Sequence, residues 1–64
     1  MAGGGQREVL FEFTAIGAFM KVAAIDAQTG IEVTVTGPVN AARADLQRLA
    51  LAKLRKRLNS LDSR

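Results

Sequence analysis

The chain has 64 residues, 48% of them apolar, a formal net charge of +3, and neither Cys nor His. That length allows one domain at most, and a domain this small removes only about 60% of its unfolded surface from water, so it is stable by a narrow margin when alone. Without Cys or His, disulfides are excluded and a zinc site lacks its usual ligands; the apolar content argues against disorder, and a partner subunit is the remaining common support.

Residues 1–7 open with Met1-Ala2-Gly3-Gly4-Gly5, which has no basic region leading into an apolar one. They are read as a flexible Gly-rich arm without the features of a signal peptide, which makes a cytoplasmic location the default expectation. Apolar runs elsewhere fall far short of the ~18–20 residues of a membrane helix, so no membrane association is expected. Residues 8–64 are read as a single βββα domain.

Over Glu8–Ala15, Val9, Phe11 and Phe13 alternate with Leu10, Glu12 and Thr14, the period of a half-buried strand. Ile16-Gly17 is the expected reversal, and Phe19–Asp26 the second strand. Setting Ala15 opposite Ala18 places Phe13 on Met20, Phe11 on Val22 and Val9 on Ala24, joining apolar to apolar on one face. Asp26-Ala27-Gln28-Thr29-Gly30 then forms a corner. The Asp side chain accepts N–H groups two or three residues on, and Gly takes the left-handed conformation. Ile31, Val33 and Val35 alternate with polar residues in a third strand, with Asp26 opposite Ile31, Ala24 opposite Val33 and Val22 opposite Val35. Gly37-Pro38 is expected to stop that strand, since Pro lacks a ladder donor.

Asn40 is the expected N-cap of a helix from Ala41 to about Leu61, rich in Ala, Leu, Arg, Lys and Gln and free of Gly and Pro. Leu46, Ala50, Leu54, Leu58 and Leu61 form one stripe, widened by Leu51 on one side and by Ala42 and Leu49 on the other. The expected fold is therefore α+β: a three-stranded antiparallel meander with one long C-terminal helix packed on one face. The expected core is Val9, Phe11, Phe13, Met20, Val22, Ala24, Ile31, Val33, Val35, Leu46, Ala50 and Leu54, with Leu49 at its margin.

Chemistry is harder to find. Glu12 and Glu32 share the outward sheet face with Lys21, an arrangement that reads as a cross-strand charge ladder rather than a cleft with shifted pKa values. Thr14, Thr34 and Thr36 have no His to activate them, and the Gly-rich start lacks the Lys-Ser/Thr ending of a phosphate loop. The chain is expected to be no enzyme and to use no cofactor, metal or small-molecule substrate. What stands out is a surplus of apolar surface. The Leu arc is too wide for one sheet, a helix of ~31 Å outruns strands of ~23–27 Å, and Leu10, Phe19 and Ile25 fall on the outward face. These features point to a protein-interaction or oligomerisation module, with Leu49, Leu51, Leu58, Leu61, Leu10, Phe19 and Ile25 as candidate interface residues. The expected partner is a second copy, as a symmetric homodimer meeting through Leu51, Leu58 and Leu61, or another protein. The alternative is a nucleic-acid-binding accessory protein using Arg48, Lys53, Arg55, Lys56 and Arg57 for phosphate contacts. Domains that read DNA with a three-stranded sheet carry Arg and aromatic residues on the outward face, whereas this face has no Arg and two acids, so a solvated basic helix is the simpler reading.

Phe11-Glu12-Phe13-Thr14, Ile16-Gly17, Lys21-Val22, Ala24-Ile25-Asp26, Thr29-Gly30, Glu32-Val33 and Gly37-Pro38, followed by a basic Leu/Ala-rich helix, resemble short single-domain proteins of alphaproteobacteria, a family of unknown function. The resemblance implies a stand-alone bacterial cytoplasmic protein and brings no activity, ligand or catalytic residue.

Overall fold

The computed structural model describes residues 8–62; the arm expected over residues 1–7 lies outside them. Three strands and a helix follow in order: β1 (Val9–Ile16), β2 (Phe19–Asp26), β3 (Glu32–Pro38) and α1 (Arg43–Asp62). The strands form one antiparallel sheet with β2 in the centre, and α1 packs on β2 and β3. This is the expected α+β meander with a C-terminal helix.

The β2–β3 register is the expected one, with Val22 opposite Val35 and Ala24 opposite Val33. Its corner is built as the Asp and Gly require. The Asp26 carboxylate accepts the Thr29 N–H (3.0 Å) and hydroxyl (2.7 Å), and the Thr29 hydroxyl oxygen accepts the Ile31 N–H (3.2 Å). Gly30 has φ +78° and donates its N–H to the Asp26 carbonyl at 2.8 Å.

The β1–β2 register differs from expectation by two residues. Ile16 faces Phe19, Ala15 faces Met20, Phe13 faces Val22 and Phe11 faces Ala24. The turn is Gly17-Ala18 rather than Ile16-Gly17, with Gly17 at φ +58° and no non-Gly residue at positive φ among the described residues. Those signs match a type II′ hairpin, which wants Gly at its first central position and follows the twist of the strands. A shift of two keeps every side chain on its expected face, because side-chain direction alternates with period two. The shift does dissolve the expected charge ladder: Lys21 lies between Thr14 and Thr36, while Glu12 faces Ala23 and Glu32 faces Ile25.

β3 runs through Pro38 instead of stopping at Gly37. The Val39 N–H donates to the Ala18 carbonyl at 2.9 Å. Alternation along an antiparallel ladder therefore makes the adjacent Phe19–Pro38 pair non-hydrogen-bonded. The Pro38 nitrogen points to the free side of an edge strand, where its missing N–H costs the ladder nothing. Asn40 is not the helix cap. It sits inside a turn closed by the Ala41 N–H on the Pro38 carbonyl (3.0 Å), and α1 begins two residues late, with the Ala42 carbonyl accepting from Asp45 and Leu46.

The core comprises Met20, Val22, Ala24, Val33, Leu46, Ala50, Leu54 and Leu58, with Val9, Phe11, Phe13, Ile31, Val35 and Ala41 packed at its margin. Leu49 is 59% exposed and leaves the expected core, whereas Leu58, at 8%, joins it. Leu46, Ala50, Leu54 and Leu58 form a single i+4 row, which is inclined to the helix axis. The buried stripe follows that row as far as Leu58. The close approach of α1 to β3 is made at Gly37. A Cβ there would lie 2.6 Å from Leu46 Cδ2, and buried Leu46 has little room to turn away. Gly37→Val should cost about 1–3 kcal/mol by overpacking; an unchanged urea midpoint would show that α1 does not seat at this point.

Candidate interaction surface

Because α1 lies over β2 and β3, the inner face of β1 is only half covered. Val9, Phe11 and Phe13 are each partly exposed, although all three point to the helix side. Phe13 has one further neighbour, the Arg43 guanidinium 5.1 Å above its ring centre, a cation–π distance. Leu51 is also half-buried. Its direction follows from Lys53, whose ammonium reaches the Thr34 carbonyl of β3 at 2.7 Å. Leu51 lies ~200° around the helix from Lys53, on the flank toward β1.

Among the described residues, nothing pairs with the backbone of β1 along the same side. The Ala27 N–H donates to the Glu8 carbonyl at 3.0 Å, which makes Glu8–Ala27 a hydrogen-bonded pair. By alternation, Leu10, Glu12, Thr14 and Ile16 direct their backbone groups at β2, and Val9, Phe11, Phe13 and Ala15 direct theirs outward. β1 contains no Pro, Lys or Gly and carries a single charge, Glu12. The opposite edge is different. Thr34 falls in a non-hydrogen-bonded pair with Ala23, so its carbonyl faces outward, and Lys53 occupies it. Pro38 offers no donor at all. Lysine and proline are recurrent devices for blunting an edge.

The candidate interface residues do not share one surface. Leu10 (48% exposed) and half-buried Ile25 occupy one end of the outward sheet face; Phe19 (57%) occupies the other, opposite Ile16 (57%). Leu49 lies one turn before Lys53 on the β3 flank, Leu51 faces β1, Leu61 (41%) is exposed in the last turn, and Leu58 is within the core. Among the candidate phosphate contacts, Lys53 is engaged at Thr34 and Arg48 pairs with Asp45 at 3.2 Å, while Arg55, Lys56 and Arg57 are exposed. Composition did not single out the open β1 edge, since it depends on which strands the helix covers.

No group of metal-ligating side chains occurs among the described residues, and none of their helices is long and apolar enough to cross a membrane. A family model for a domain of unknown function, DUF6898, matches residues 6–61. The chain belongs to that family. DUF6898 thus covers all three strands and the helix through Leu61. Among curated proteins and among solved structures, nothing matches the chain.

Proposed function

We propose that this DUF6898 protein is a non-enzymatic interaction module whose partner is a second copy of itself, joined through the β1 side of the sheet. The observation that carries this reading is the placement of α1 over β2 and β3, which leaves β1 with a half-covered apolar face and a free backbone edge on the same side. A second copy fits because an antiparallel strand pair is two-fold symmetric, so a strand whose free groups are evenly spaced complements itself. The resemblance to short alphaproteobacterial proteins supports a bacterial cytoplasmic setting. The phosphate-binding alternative has less behind it, since two of its five cations already have partners.

Sedimentation at ~100 μM, well above the dissociation constants usual for such contacts, should show a dimer that dissociates on dilution. A Val9→Pro, Ala15→Pro double variant removes two outward N–H groups without touching the β1–β2 ladder and should be a folded monomer. A wild-type protein that remains monomeric at that concentration overturns the reading.

A further inference from the structure

From the spacing of the free groups on β1 we infer that the two strands pair about an axis passing through Glu12, which makes this carboxylate the control point of assembly; the inference rests on the dimer proposed above. Outward groups belong to Val9, Phe11, Phe13 and Ala15, so a two-fold must match odd residues with odd residues. Any axis through a residue does so, and those through Phe11, Glu12 and Phe13 match at least three of the four outward residues. Centred on Glu12, Val9 pairs with Ala15 of the second copy and Phe11 with Phe13, each twice. All four outward residues are then matched, and since each such pair exchanges two bonds, about eight backbone hydrogen bonds form. Centring on either Phe leaves one outward residue of the four without a β1 partner.

The Glu12 centre also brings Phe11 and Phe13 of both copies together on the helix side, as cross-strand aromatic pairs that stabilise a sheet. Its cost is on the other face, where Glu12 meets its own symmetry mate in a non-hydrogen-bonded pair with Cα atoms ~4.5 Å apart. Glu12 is exposed, with Ala23 across the β1–β2 ladder. Two additional backbone bonds and the aromatic pairs outweigh one solvated like-charge contact. The register therefore holds with a built-in repulsion that weakens the dimer.

Two variants test this. Glu12→Lys alone should dimerise about as weakly as the wild type, because the axis still carries like charges. Mixed with wild type, it should form a heterodimer about 2- to 30-fold tighter than either homodimer, one exposed repulsion being replaced by one attraction. The chain has no Cys, so Glu12→Cys introduces a single thiol at a spacing a disulfide can bridge. It should oxidise to a covalent dimer, while Thr14→Cys, set opposite Leu10 of the second copy, should not. A wild-type dimer whose mixtures with Glu12→Lys show no heterodimer preference, or whose Glu12→Cys form cross-links no better than Thr14→Cys, overturns the register and leaves the dimer standing. A wild-type monomer removes both.

Discussion

Leu58→Asp should leave the chain unfolded at 25 °C. Leu58 is 8% exposed at the end of the buried row that begins at Leu46. Losing its burial removes about 1.5–3 kcal/mol, and the carboxylate that replaces it enters an apolar site without a partner, a cost of several kcal/mol more. A domain of this length holds only about 3–10 kcal/mol in total. Leu61→Asp, at a position 41% exposed, should fold with a melting temperature within a few degrees of the wild type. Circular dichroism of the two variants distinguishes a core Leu58 from a surface one. A folded Leu58→Asp protein would mean that the last turns of α1 do not rest on the sheet.

Asp26→Ala is the second large effect. Asp26 is fully buried, and its carboxylate accepts two bonds from Thr29, whose oxygen in turn accepts the Ile31 N–H. Bonds to a charged acceptor each contribute about 1.5–3 kcal/mol. Removing the acceptor leaves the Thr29 N–H without it and opens a void at the start of the β2–β3 corner. A loss of about 3–6 kcal/mol is expected on that basis, read as a shift in the urea midpoint at constant slope. Asp26→Asn keeps an acceptor oxygen and should lose less than half as much. Equal losses for Ala and Asn would show that charge, rather than hydrogen-bond geometry, holds the corner.

The contrast between the two hairpins shows what could be read from residues alone. At the β2–β3 corner, Asp26 and Gly30 have only one way to serve the chain, so turn and register follow together. At the β1–β2 turn, apolar alternation decides parity but cannot separate registers two residues apart. The signal that does separate them is the position of Gly17 within the loop, since a type II′ turn wants Gly first. In the helix, the spacing of Leu residues identifies an apolar arc, but its phase depends on the crossing direction. Leu49 and Leu58 exchange roles because the sheet selects the i+4 row. Asn40 is a good cap by residue type, yet the turn that follows Pro38 takes it first. The open edge of β1 was the least legible feature, since it arises from the lateral placement of α1.

Lys53 on the Thr34 carbonyl and Pro38 at the end of the same strand have a consequence for valence. A sheet with two adhesive edges is a bifunctional monomer, and growth from such monomers is a polymerisation with no natural end. Here the β3 edge is blunted from within the molecule at Thr34 and Pro38, so β1 is the better pairing edge of the dimer proposed above. In the proposed dimer, joining through β1 consumes that edge on both partners and leaves the two blunted β3 edges outermost. On that proposal, growth beyond two copies is disfavoured by the blunted edges rather than by dilution.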